Sequence, residues 1–317
     1  MIIAIARLQN YRNCSLFRNS KLFQFRGNFE YRWCGGLEHV IIERPKITGL
    51  TDVLVKNHFA GVNFIDTYHR SGLYKLSLPA IIGREGAGVE EAVGDGVKDI
   101  HLGDHVVYIN SSSYAEFTIT NSKKVAKVPD GLDLKLAASL LQAGGVGLLL
   151  VQLVKNCGAH VIGTVSNDEK AKLAISACAE HVINYSTQNV VDEVMRITDN
   201  KGVHAIYDGV GKYTFETFLA CARRLGSLIS FGNASGKVPP FEILRLSEKN
   251  LKLMRPTLNN YIETEEEFRK STAELFTVIK EGKLDIKIWE TYKLNDARQA
   301  HLDLKGRKTT GKLILQL

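Results

Sequence analysis

Cysteine is sparse in this chain of 317 residues: five occur, at Cys14, Cys34, Cys157, Cys178 and Cys221. Their number is odd and no two stand in a CxxC spacing, so neither a disulfide framework nor a structural zinc site is supported. Small buried hydrophobes in a reducing, intracellular compartment fit best, which makes the cytoplasm the expected location. Long apolar runs are missing too. With no stretch of about 18 or more such residues, no transmembrane helix and no membrane partner are expected. Internal repeats and low-complexity segments are absent. Acid is scarce at the start: residues 1–34 carry Arg7, Arg12, Arg18, Lys21, Arg26 and Arg32 against Glu30 alone. A basic, acid-poor beginning suits a mitochondrial transit peptide or an atypical extension with no targeting role. Its apolar residues keep no helical period.

What is present is ordinary in bulk. Hydrophobic residues make up 44% and charged residues 24%, as in a soluble globular protein with room for two domains. Lys and Arg outnumber Asp and Glu by 41 to 34, a net charge of +7. Beyond the first segment the excess is diffuse, so it reads as a solvated basic surface rather than a nucleic-acid footprint.

The pattern changes along the chain. Leu37–Glu43, Asp52–Ala60, His105–Ile109 and Tyr114–Ile119 read as short strands among Gly and Pro turns, as in a β-barrel-like domain. After Pro129, helix-like Leu134–Ala143 and helix Val146–Asn156 lead into alternating elements. Strands at His160–Val165, His181–Asn184, Ala205–Asp208, Ser227–Phe231 and Leu251–Met254 alternate with helices at Asp168–Cys178, Val190–Asp199 and Thr214–Leu225. That alternation predicts a parallel, doubly wound α/β sheet. The tail offers a charged helix (Glu263–Glu281), a strand (Ile286–Tyr292), a helix (Asn295–Leu304) and a last strand (Lys312–Leu317), and is expected to rejoin the first domain.

Gly144, Gly145, Val146 and Gly147 open a helix whose free amides suit a pyrophosphate. The next strand ends near Ser166, where the adenosine ribose of a dinucleotide lies. Ser166, Asn167 and Lys170 suit a 2′-phosphate and hence NADPH; Asp168 is the dissenting residue, read as a helix N-cap. A dinucleotide fingerprint also needs a strand feeding the glycine turn. Residues 134–142 are helix-like instead, and only five strands follow the glycines. The first strand, central in the 3-2-1-4-5-6 order, is therefore expected to be missing, leaving open strand edges.

Several blocks carry a family resemblance: Asn63-Phe-Ile-Asp66-Thr-Tyr68-His-Arg70-Ser-Gly72-Leu-Tyr74, Leu78-Pro79-Ala-Ile-Ile-Gly83-Arg-Glu85-Gly86-Ala-Gly88, Gly103-Asp104-His-Val106, Val182-Ile-Asn-Tyr185, Tyr207-Asp208-Gly-Val-Gly211, Ser230-Phe-Gly-Asn233-Ala-Ser-Gly236, Arg255-Pro256 and Arg307…Gly311. From about Leu37 to Leu317 the chain resembles zinc-independent NADPH:quinone oxidoreductases of the zeta-crystallin type, in the medium-chain dehydrogenase/reductase superfamily. The resemblance implies a GroES-like catalytic domain (35–125 and 256–317) and an incomplete Rossmann NADPH-binding domain (126–255), with 1–34 outside both. Relatives carry roughly two dozen more residues before the glycine turn, including the first Rossmann strand.

The resemblance also assigns residues. Asn63, Asp66, Tyr68 and Tyr74 line the nicotinamide and quinone end. Tyr185 lies against the adenosine. Phe231, Gly232, Asn233 and Ser235 follow a strand's C-terminal end, and Arg255 and Arg307 reach the cofactor, with surface salt bridges as their alternative. No metal is implied, because a quinone is already electron-poor. Moreover, no Cys lies between Cys34 and Cys157, and Arg84-Glu85 stands where zinc relatives place a ligand His. The implied function is NADPH-dependent quinone reduction by a homodimer. The alternatives are reduction of activated alkenes such as enals, binding of AU-rich RNA (not favoured without a basic aromatic platform), and a truncated, inactive member of the family.

Overall fold

The computed structural model describes residues 2–7, 37–77, 79–109, 112–142, 145–306 and 309–317. In chain order these form β1 (Ile2–Arg7), β2 (Asp52–Val62), α1 (Phe64–Arg70), β3 (Glu85–Val93), β4 (His105–Ile109), β5 (Phe117–Asn121), β6 (Val125–Lys127) and α2 (Leu134–Ala137). Then come α3 (Val146–Asn156), β7 (His160–Val165), α4 (Asp168–Ser176), β8 (His181–Asn184), α5 (Val190–Ile197), β9 (Val203–Asp208), α6 (Phe215–Cys221), β10 (Ala222–Ser230) and β11 (Lys252–Met254). The last elements are α7 (Leu258–Tyr261), α8 (Glu265–Lys280), β12 (Ile288–Lys293), α9 (Ala297–Lys305) and β13 (Lys312–Gln316). No helix among the described residues is long and apolar enough to cross a membrane.

The elements divide into two compact units. The first holds β1 and Val146–Tyr261; the second holds the described residues from Leu37 to Gly145 and Ile262–Leu317. The unit boundaries fall at 145/146 and 261/262, whereas the resemblance implied 125/126 and 255/256.

The first unit is a six-stranded sheet in the order β11-β10-β9-β1-β7-β8. Pairs β7–β8, β9–β10 and β10–β11 are parallel. Val161 and Ile162 are both fully buried but belong to different clusters: Val161 packs with Val151 of α3, and Ile162 with Phe215 and Phe218 of α6. Adjacent residues of a strand point to opposite faces, so helices cover this sheet on both sides. The expected open gap is not found. The central position is filled by β1, which runs antiparallel to both neighbours, Ala4 pairing with Ile162 on one side and Ile206 on the other. Among the described residues no strand directly precedes the glycine turn: α2 ends at Ala137 and turns follow to Gln142.

The second unit is a seven-stranded sheet in the order β12-β13-β2-β3-β4-β6, with β5 also on β2. It is antiparallel except for the β12–β13 pair. Here the structure departs from the sequence reading. Leu37–Glu43 forms no strand, and Ile41 is 97% exposed; β-propensity without a partner edge does not make a strand. Conversely β3, whose glycines read as turn punctuation, is a central strand. A Cβ on Gly88 would lie 2.0 Å from the Lys56 carbonyl oxygen, so glycine permits the close approach of β2. In the first unit, the helix expected over Thr214–Leu225 stops at Cys221, because Ala222 already pairs with Val203 of β9.

Candidate functional site

Each unit carries its own cluster of the expected site residues. In the first, parallel pairing of β7 with β8 places Val165 opposite Asn184, so Ser166, Asn167 and Tyr185 emerge together at the C-terminal strand ends. The Tyr185 N–H donates to the Val165 carbonyl at 3.0 Å, and the Ser186 hydroxyl to the Ser166 carbonyl at 2.8 Å. Asn167, not Asp168, caps α4: its side-chain oxygen accepts from the Lys170 N–H at 2.9 Å. Asp168 is the first helical residue, and its carboxylate accepts from the Asn184 amide at 3.0 Å. The cap falls on Asn167 because its extended backbone (φ −163°) lets the side chain turn back over the first turn.

Phe231, Gly232, Asn233 and Ser235 follow β10. The Phe231 N–H donates to the Asp208 carbonyl at 2.8 Å, and a Cβ on Gly232 would sit 2.3 Å from the Gly209 carbonyl oxygen. The loops after β9 and β10 therefore press together. Ser235 Oγ donates to the Val210 carbonyl at 2.8 Å and accepts from the Tyr213 N–H at 3.1 Å. Arg255 donates to the carbonyls of Ser230 at 2.9 Å and Gly232 at 3.1 Å. In the orientation that satisfies both ends of its amide, Asn233 accepts from Arg255 Nη2 at 3.0 Å. Asp208, outside the predicted set, organises this corner. Its Oδ1 accepts from Val210 N–H at 2.8 Å, Gly211 N–H at 3.2 Å and Thr214 Oγ1 at 2.9 Å.

Val146 and Gly147 open α3, where the first amides of a helix have no intrahelical partner. Gly145, with φ +69°, ends the second unit. Gly144 and Arg307 lie outside the described residues.

The second cluster is built on α1. Asn63 caps the helix, and its N–H donates to Asp66 Oδ2 at 2.8 Å. Tyr68 and Tyr74 meet edge to face with ring centroids 5.3 Å apart. Both are half-buried, whereas Asp66 is completely buried and Asn63 nearly so. The Asn63 carboxamide turns inward: Nδ2 donates to Glu85 Oε1 at 3.0 Å, and Oδ1 accepts from Lys312 Nζ at 2.7 Å.

Four further residues complete this network, and sequence reasoning did not select any of them. Lys312 and Glu85 form an ion pair with both side chains at 0% exposure. Together they clamp one peptide unit on each side of Gln142: Glu85 Oε2 accepts its N–H at 2.6 Å, and Lys312 Nζ donates to its carbonyl at 2.7 Å. Beyond Asp66, the Tyr114 hydroxyl lies 3.1 Å from Asp66 Oδ2 and 3.2 Å from His301 Nε2. A hydroxyl donates once. When Tyr114 donates to ionised Asp66, His301 must donate from Nε2; when protonated Asp66 donates to Tyr114, the hydroxyl is free to donate to an unprotonated Nε2. Burial pushes the Asp66 carboxyl up to about 7 and holds the His301 imidazole down at about 4. The sequence did carry a signal for Lys312, a lone charge opening an apolar strand. For Tyr114 and His301 it carried none.

A family model described as "Alcohol dehydrogenase GroES-like domain" matches residues 49–130, and one described as "Zinc-binding dehydrogenase" matches residues 145–277. A curated quinone oxidoreductase of Salmonella typhimurium is 41% identical over 83% of this chain and 90% of its own length. A 2-haloacrylate reductase of a Burkholderia species is 34% identical over 89% of the chain and 96% of its own length. The crystal structure of an Escherichia coli quinone oxidoreductase complexed with NADPH superposes with a TM-score of 0.83 at 37% identity, covering 87% of this chain and 95% of that one.

Proposed function

The chain belongs to the quinone oxidoreductases of the medium-chain dehydrogenase/reductase superfamily, and we propose that it reduces quinones with NADPH, without a metal. The observation that carries the cofactor choice is the end of β7. Ser166, Asn167 and Lys170 offer a hydroxyl, an amide and an ammonium group. Two carboxylates stand in the same stretch: Asp168 is engaged by Asn184, and Glu169 follows it in the first turn of α4. A ribose 2′-hydroxyl asks for a free carboxylate at this place, whereas a 2′-phosphate asks for donors and positive charge. The residues present therefore fit NADPH, with Tyr185 beside the adenine and the loop 231–235, braced by Arg255, past the strand ends.

When bound, NADPH supplies the hydride. The chain's own residues hold and orient. Tyr68 and Tyr74 offer ring faces and hydroxyl donors to a quinone, and Asn63 and Asp66 fix the first turn of α1, which carries Tyr68 and leads on to Tyr74. The quinone carbonyl is electron-poor enough to accept without Lewis-acid help. β1 in the centre of the sheet supports a folded nucleotide unit over an inactive remnant. A cytoplasmic homodimer belongs to the same proposal, supported by family membership.

Titration of NADPH fluorescence tests the reading: saturable binding tighter than that of NADH is expected, and equal affinity for the two would overturn the 2′-phosphate assignment. A second reading, reduction of activated alkenes, is favoured by the Burkholderia relative. Steady-state rates with a benzoquinone and with an enal separate the two; the quinone is expected to be the faster acceptor.

A further inference from the structure

β7 and β9 run in the same direction with one strand between them. In a doubly wound sheet that central strand runs parallel to both and leads straight into the glycine turn. Here it runs the other way and comes from the far end of the chain, with residues 8–36 between it and Leu37. Ile2 pairs beside Thr164, near the C-terminal end of β7, and Arg7 beside His160 at its start.

The slot is deeply interior. Val161 and Ile162 on one wall and Ile206 on the other are completely buried. Strand pairing gives their backbone amides and carbonyls a partner, and emptying the slot would leave them without water or protein to bond. The segment that fills it, Ile2-Ile-Ala-Ile-Ala-Arg7, has the apolar, β-branched composition of a strand buried on both faces. It is held in the sheet by antiparallel backbone pairing with both β7 and β9, as when an extended peptide adds to a sheet.

We infer that β7 and β9 form a strand-binding slot in this chain, and that Ile2–Arg7 occupies it as a separable ligand, an extended apolar hexapeptide added antiparallel in place of the missing central strand. The inference concerns the sheet and is independent of the quinone reading.

The test compares the full chain with a variant lacking residues 2–7, by hydrogen exchange at His160–Val165 and Val203–Asp208. The deletion is expected to raise exchange there at least roughly tenfold. A blocked peptide of sequence IIAIAR should restore protection saturably, and the same peptide with proline at its third position should not, because it lacks the ladder N–H. Unchanged protection after deletion would mean that β7 and β9 pair without the segment, and the slot would not exist. If the deletion variant does not fold, a full-length chain answers instead: Ala4→Cys with Ile162→Cys should cross-link within one molecule, and Ala4→Cys with Ile183→Cys, one strand further out, should not. Failure of the first pair overturns the proposal. A cross-link only between two copies overturns occupation by the chain's own segment.

Discussion

Lys312 and Glu85 show how a few buried atoms organise much of the second unit. One ammonium group meets Glu85, Asn63 and the Gln142 carbonyl. Removing it leaves a carboxylate buried and unpaired, which in comparable pairs costs about 3–5 kcal/mol. Lys312→Met is therefore expected to lower stability by about that much in a denaturant titration. Replacing both partners, Lys312→Met with Glu85→Leu, should cost less, since no charge is stranded. Asp66 makes a prediction about pH. Its folded carboxyl holds a proton up to about 7, whereas the unfolded one releases it near 4. Stability from this group is therefore full below about pH 4 and declines as pH rises to about 7. His301 acts oppositely: folded, it refuses a proton down to about 4, so its contribution grows as pH rises toward 6.5. The two slopes offset each other in the native chain. Asp66→Asn should expose the histidine alone, and its melting temperature relative to the parent should climb between about pH 4 and 7. A parallel shift of both curves would show that Asp66 does not titrate in that window.

At the scale of elements, β3 and α8 illustrate opposite kinds of legibility. α8 could be read directly: a charged run opens on a capping box in which Thr264 Oγ1 accepts from Glu267 N–H at 3.2 Å and Glu267 accepts from Thr264 N–H at 2.9 Å. Thr264→Ala should cost about 1 kcal/mol, seen as a lower denaturation midpoint with an unchanged slope. β3 was hidden because Gly86 and Gly88 look like turn residues when the strand they press against is unknown. Gly88→Ala should destabilise by about 1–3 kcal/mol, since the added methyl meets the Lys56 carbonyl and β2 must move.

For the whole molecule, cofactor preference is the informative measurement. Lys170→Ala is expected to weaken NADPH by roughly tenfold, the loss of one charge-assisted contact, and to leave NADH nearly unchanged. Equal loss for both coenzymes would place Lys170 away from the 2′-phosphate. The same titration with the segment 2–7 deleted reports whether the sheet that presents Ser166 and Asn167 depends on β1.

Local pattern determined a good deal by itself. Periodicity marked the strands β7 to β9 and the helices between them, and Ser166, Asn167 and Lys170 at the end of β7 pointed to NADPH, with Asp168 as the dissenting residue. The motif from Asn63 to Tyr74 gave the lineage. Those features depend on neighbours along the chain, which a sequence displays. Only the tertiary structure decided that Ile2–Arg7 is the centre of a sheet, that Asp66 shares a hydrogen-bond chain with Tyr114 and His301, and that Lys312 reaches back to Asn63. Each of these joins residues far apart in sequence, and backbone pairing or the pairing of buried charges between such residues leaves no period in either partner's own segment.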